Sequence, residues 1–167
     1  ISGNSLMMSL KKLILLSFCI LYCNSISSQE IILITQLETI AVECDFFLGF
    51  DNQQNTYSLK NNVLTKKSVS KKYQYNNLSL GKITKVDFQN PLEIVVFNKN
   101  INTVVLLDNQ LNEIRKIDYN LNPSPVIVEA TALSSQNQIW IYDNISSKIG
   151  LHNVNTNTIK WISTILE

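Results

Sequence analysis

Glu93-Ile-Val-Val-Phe-Asn98, the turn Lys99-Asn-Ile-Asn102 and Thr103-Val-Val-Leu-Leu-Asp108 decide the fold of this chain. Two runs of β-branched and large apolar residues, bounded by Asn and Asp and joined by four residues, read as an antiparallel pair of strands. Each run is apolar at successive positions, so each strand needs cover on both faces. The pattern returns 45 residues later. Laying residues 83–118 over 128–163 without a gap brings Ile94 onto Ile139, Val96 onto Ile141, Val104 onto Ile149, Leu106 onto Leu151, Ile114 onto Ile159 and Ile117 onto Ile162.

A partial copy lies upstream, where Phe47-Leu-Gly-Phe50 and Tyr57-Ser-Leu59 match residues 94–97 and 104–106 at a shift of 47. The second copy reads as four strands at 82–88, 93–98, 103–108 and 113–118, and the third as 126–133, 138–143, 148–153 and 158–163. In the first copy, 46–50 reads as the second strand, 56–60 as the third and 63–66 as the outer one, with an inner strand within 35–42. A period of roughly 40–50 residues filled with four short strands is the spacing of β-propeller blades. The expected fold is therefore all-β. It has four-stranded antiparallel blades at about 36–68, 82–118 and 126–163, a partial ring, since propellers usually carry about 4–8 blades. An unpaired blade face would be apolar and exposed, so such a fragment would self-associate.

The first 28 residues differ in character. Ile1–Leu6 read as an upstream remnant before Met7 and Met8. Lys11-Lys12 then precede an apolar run at 13–23 and the small polar residues 24–28. This is the pattern of a secretory signal peptide, with the mature propeller segment at 29–167. The apolar run is shorter than the ~20 residues of a membrane span. The chain is thus expected to be exported to the periplasm, cell surface or exterior, with no stable membrane span after cleavage. An uncleaved anchor or a buried helix is the alternative. Phe18 and Tyr22 precede Cys19 and Cys23 where a lipoprotein signal wants small residues. Only Cys44 would remain after cleavage, reading as a buried small hydrophobe with no disulfide partner.

Net charge is +1, which gives no field to steer the chain toward nucleic acid. The 21 asparagines suit tight corners, because Asn tolerates left-handed backbone, and a biased genome would also enrich them. One basic stretch holds Lys66, Lys67, Lys71, Lys72, Lys82 and Lys85 around a connection at 69–82. It reads as a solvated loop; an anionic-ligand rim, with Tyr73 and Tyr75 for stacking, is the functional alternative. The single His152 reads as a surface or semi-buried strand residue, aligned near Leu107. It cannot make a zinc site or a catalytic triad alone. Trp140 and Trp161 fall on apolar positions and read as core. The four glycines form no phosphate-cradling loop. No catalytic, cofactor-binding or metal-ligating residue is assigned, and binding residues stay open.

Leu80-Gly-Lys-Ile-Thr-Lys-Val-Asp-Phe88, Asn90-Pro-Leu-Glu-Ile-Val-Val-Phe97 and Asn102-Thr-Val-Val-Leu-Leu-Asp108 resemble the N-terminal part of a secreted bacterial β-propeller of the NHL and quinoprotein-like style. They are also similar to an uncharacterised exported family of Bacteroidetes-type bacteria. The resemblance implies the propeller fold and carries over no functional residue, since there is no tryptophan-docking motif and no Gly-His or Trp-Asp pair. The expected function is a non-enzymatic exported binding or scaffold module for an unknown protein or glycan ligand. The alternative is the N-terminal part of a glycan- or redox-active propeller enzyme whose catalytic residues lie in other blades.

Overall fold

Short β-branched runs broken by Asn, Asp and Ser turns fold into three four-stranded antiparallel meanders. The computed structural model describes residue 39, residues 41–135 and residues 137–166. The first sheet contains β1 (Phe46–Phe50), β2 (Thr56–Lys60), β3 (Val63–Lys67) and β4 (Lys72–Tyr75). The second contains β5 (Lys85–Asp87), β6 (Ile94–Asn98), β7 (Thr103–Leu107) and β8 (Glu113–Asp118). The third contains β9 (Val128–Leu133), β10 (Gln138–Asp143), β11 (Lys148–Asn153) and β12 (Thr158–Trp161). Spatial order follows chain order in each sheet. The fold is all-β, with propeller-type blades in a partial ring. The signal-peptide reading of the first 28 residues lies outside the described residues.

The second and third sheets occupy the expected strands, trimmed at their ends. The first sheet differs. Phe46–Phe50 is its first strand rather than its second, and a fourth strand, Lys72–Tyr75, runs through the stretch that reads as a loop. The sheet spans 46–75 instead of 36–68, and the inner strand expected within 35–42 falls largely outside the described residues. Two physical features hide this phase. A bulge between Phe47 and Gly49 breaks the alternation of β1. Lys72-Tyr-Gln-Tyr75 alternates polar outward with Tyr inward, a half-exposed outer strand inside a basic stretch.

β6 and β7 are buried at every position. Ile94, Val96, Val105 and Leu107 pack with Tyr57, Leu64 and Tyr75 of the first sheet. Val95, Phe97, Val104 and Leu106 pack with Val128, Ile139 and Ile141 of the third. Strand pairing sets these two faces, since Ile94 lies opposite Leu107 and Val95 opposite Leu106. Each such side chain contributes roughly 1.5–3 kcal/mol by leaving water.

Hydrophobic contact alone does not fix how one sheet sits on the next. Asparagine does. Asn62, in the β2–β3 turn at φ 64, accepts from the Ile83 N–H at 2.7 Å and donates to the Gly81 carbonyl at 2.8 Å. Asn102, in the β6–β7 turn at φ 53, accepts from the Val128 N–H at 2.9 Å and donates to the Val126 carbonyl at 2.7 Å. Each side chain grips the backbone leading into the next sheet. Gly81 and Val126, like Ile83 and Val128, are 45 residues apart, so the clasp is part of the repeat.

Replacing Asn102 with Gly keeps the left-handed turn and leaves two backbone groups without their partner. It should cost about 2 kcal/mol in urea-induced unfolding. Asn102→Ala should cost about 1 kcal/mol more, the strain of a Cβ in left-handed backbone. Equal losses for the two variants would remove the strain from this account.

Candidate functional site

Antiparallel meanders send the β2–β3, β6–β7 and β10–β11 turns and the links between sheets to one end of the stack. The remaining turns lie at the other end. The two ends use their polar residues differently.

At the second end, Asp51-Asn-Gln-Gln-Asn55 and Asp108-Asn-Gln-Leu-Asn112 form the same turn between β1 and β2 and between β7 and β8. Asp51 Oδ1 accepts from the N–H groups of Gln53 and Asn55, both at 2.9 Å, and Oδ2 accepts from Asn55 Nδ2 at 2.9 Å. Asp108 repeats the pattern with Gln110 and Asn112. Gln54 and Leu111 both sit at φ 63. Asp51 also accepts from the Tyr57 hydroxyl at 3.2 Å and lies 3.9 Å from Lys66 Nζ. Burial pushes its carboxyl up, but these hydrogen bonds outweigh burial and hold it below the usual carboxylate value. Lys66 donates to the Asn109 carbonyl at 3.1 Å, joining the two turns across the first two sheets.

Asp143 and His152 brace the third sheet. Asp143 accepts from Ile127 N–H at 2.8 Å and from Ser146 N–H and Oγ. Burial raises its carboxyl and these donors bring it below its ordinary value. His152 is buried, which corrects the surface or semi-buried expectation. Its Nδ1 lies 2.9 Å from the Tyr119 hydroxyl and its Nε2 lies 3.1 Å from Asn157 Oδ1. With a carbonyl oxygen facing Nε2, the proton sits there and Nδ1 accepts from Tyr119. Burial pushes this imidazole below its usual value, against the raising effect of Asn157.

The basic stretch does not assemble into one rim. Lys66 is buried, and Lys85 Nζ donates to the Thr131 carbonyl at 2.6 Å. Tyr75 donates to Glu113 at 2.7 Å, and Tyr73 packs on the core between the first two sheets. Lys67, Lys71 and Lys72 are exposed, away from Lys82 at the clasp end. Neither tryptophan lies in the core as expected: Trp161 packs over Gly150 but is 39% exposed, and Trp140 stands on the outward face of the third sheet. Cys44 is a half-buried free thiol. Among the described residues no three His, Cys, Asp or Glu side chains group as metal ligands. No described helix is long and apolar enough to cross a membrane.

The clasp end carries the candidate site. A cleft of about 410 Å³ opens between the first two sheets, lined by Asp45, Phe46, Leu59, Asn62, Lys82 and Ile83. Three apolar side chains line it together with a carboxylate, an amide and an ammonium. Asp45 is oriented by the Asn61 N–H at 2.7 Å, and Phe46 is 60% exposed. Sequence reasoning missed this site because its residues come from β1, β2, a turn and a sheet-to-sheet link. Only the Asn61-Asn62 turn signals it.

Three outcomes check the bracing. Asp51→Ala should cost about 3–5 kcal/mol, because it strips a buried carboxylate from several donors. Lys66→Met should cost only about 1 kcal/mol, since N–H and O–H donors already compensate Asp51. The unfolded chain protonates its histidine from about pH 6.5 downward while the buried imidazole resists. Stability from His152 is therefore complete above about pH 6.5 and falls with pH until the folded imidazole protonates too. Denaturation midpoints for His152→Leu should lose that slope between pH 7 and 5.

No family model matches this chain, and no curated protein matches it. Solved structures do. A member of the DUF4221 family from Bacteroides vulgatus superposes with a TM-score of 0.50 at 12% identity, over 75% of this chain and 44% of that one. Apo AztD from Citrobacter koseri superposes with a TM-score of 0.52 at 12% identity, over 78% of this chain and 38% of that one. A virginiamycin B lyase from Staphylococcus aureus gives 0.49 at 10% identity, over 71% and 40%. The chain spans less than half the length of these proteins, and the likeness to the first two shows the propeller-like fold.

Proposed function

We propose that this chain is an exported, non-enzymatic binding module whose ligand, a glycan, sits in the clasp-end cleft. One observation carries the reading. The buried ionisable side chains Asp51, Lys66, Asp143 and His152 all brace strands and sheets. The clasp-end cleft instead offers an exposed aromatic ring beside opposed charges. An apolar ring face with polar groups at its edge suits a sugar, which has apolar C–H faces and hydroxyl edges. Loops and clefts on a rigid blade scaffold are where propellers place recognition. Export is supported by Lys11-Lys12, the apolar run at 13–23 and the small residues before Gln29.

Oligosaccharide-array binding by the labelled full chain tests the ligand. Phe46→Ala should weaken the best binder about tenfold, the loss of roughly 1.4 kcal/mol of stacking. Unchanged affinity would move the site elsewhere, and turnover of the bound sugar would make the protein an enzyme. For export, intact mass of protein recovered outside the cytoplasm should correspond to a chain beginning at Gln29. The full-length mass there would contradict cleavage.

A further inference from the structure

The repeat makes the two gaps between sheets comparable. In the first gap, Lys66 on β3 donates to the Asn109 carbonyl at 3.1 Å, in the β7–β8 turn of the second sheet. In the second gap, Arg115 on β8 donates through Nη1 to the Val154 carbonyl at 2.7 Å, in the β11–β12 turn of the third sheet. Asn109 and Val154 are 45 residues apart, so each gap is spanned by a cation held on the same carbonyl of the repeat. Each gap also has an acid in the turn between the first two strands of its sheet, Asp51 in one and Glu93 in the other.

The two gaps are filled differently. Asp51 is buried, accepts from the Tyr57 hydroxyl and lies 3.9 Å from Lys66 Nζ, so acid and cation meet directly in the first gap. There Tyr57 stands opposite Lys66; in the second sheet the shorter Val95 stands opposite Leu106. The cation has moved one strand outward, to Arg115 opposite Leu106. A cleft of about 280 Å³ opens between the second and third sheets, and Glu93, Arg115, Leu106, Ile114 and Val154 are among the residues that line it. Glu93 is half-buried, and its carboxylate has no hydrogen-bond or ion-pair partner among the described residues. Burial pushes it above its ordinary value. A carboxylate that loses water without gaining a donor is costly, and a cation relieves that cost. Arg115 uses one N–H on Val154, and its guanidinium fork has others to offer a carboxylate. The cleft is slightly smaller than the ~300 Å³ at which pockets for drug-sized ligands begin, so it suits a small molecule.

We propose that this cleft binds a zwitterion with an apolar body, an apolar amino acid or a short apolar peptide, whose ammonium pairs with Glu93 and whose carboxylate pairs with Arg115. The ligand supplies in the second gap the charge contact that Asp51 and Lys66 make directly in the first. Amino acid and peptide share both charged ends and the apolar body, and differ in the span between the charges. The site lies at the opposite end from the clasp-end cleft and does not depend on the glycan reading.

Calorimetric titration of the full chain with leucine and with leucylleucine should show saturable binding, and the tighter of the two gives the span. Acetylating the amine of that ligand, or amidating its carboxyl, should each weaken binding about tenfold. Glu93→Gln should lose the same factor for the unmodified ligand and nothing further for the acetylated one. Arg115→Gln should behave in the same way toward the amidated ligand. The Glu93 side chain has no described partner to lose, so Glu93→Gln decides the proposal even where loss of the Val154 tie unfolds Arg115→Gln. No saturable binding of either ligand to the wild type would overturn the proposal. So would binding that acetylation leaves unchanged, and so would a Glu93→Gln variant that still separates the free from the acetylated ligand as the wild type does.

Discussion

Two asparagines in left-handed backbone hold the sheets in register. Apolar burial is non-directional, and the flat faces of β6 and β7 would accept a neighbouring sheet at several offsets. The clasps of Asn62 and Asn102 leave one, because each must reach an N–H and a carbonyl two residues apart on the next sheet. Asparagine suits the position for two reasons. Its amide carries both a donor and an acceptor, and it tolerates positive φ better than other residues with a Cβ. A second tie follows the same period. Asn98 donates to the Lys82 carbonyl at 3.1 Å, and Asp143, 45 residues later, accepts from the Ile127 N–H at 2.8 Å. Donor and acceptor are exchanged while the connection is kept.

The same need for satisfied polar groups explains where the chemistry of this chain goes. A buried carboxylate is costly unless several donors meet it. Asp51 and Asp143 each meet that condition through turn amides, and both are held ionised below their ordinary range. Glu113 joins them on the surface, lowered first by Asn77 and then by Tyr75. These groups are committed to holding turns closed. The clasp-end cleft is different because exposed Phe46, with Leu59 and Ile83, lines it beside Asp45, Asn62 and Lys82.

Much of this was legible as periodicity. Strands β6, β7, β8, β10 and β11 fall where the apolar alignment places them: β6 and β7 are buried on both faces, and the other three keep apolar residues at matching positions of the repeat. Five of the left-handed positions are Asn, as the composition suggested: Asn61, Asn62, Asn102, Asn137 and Asn157. The first sheet was misphased because its strands are buried on one face only and β1 is bulged, so matching apolar letters to the second copy slid it by one strand. The twin turns at 51–55 and 108–112 were visible as nearly identical pentapeptides. They join different strand pairs, so a search for a constant period passes over them. His152 aligns with Leu107, and nothing in its neighbours shows that Tyr119 and Asn157 would meet it.

Few identities survive between the second and third copies because the repeat conserves volume rather than residues. Gly150 stands opposite Ile141 where Val105 stands opposite Val96. A Cβ on Gly150 would come within 2.9 Å of the Ile159 and Trp161 side chains. The bulk absent from β11 is thus supplied by β12, whose Trp161 reaches across the glycine. The next inward position on β11 carries His152, a polar ring in place of Leu107, and Tyr119 and Asn157 satisfy it. Close packing tolerates such exchanges when the volume on a face is kept and each buried polar atom finds a partner.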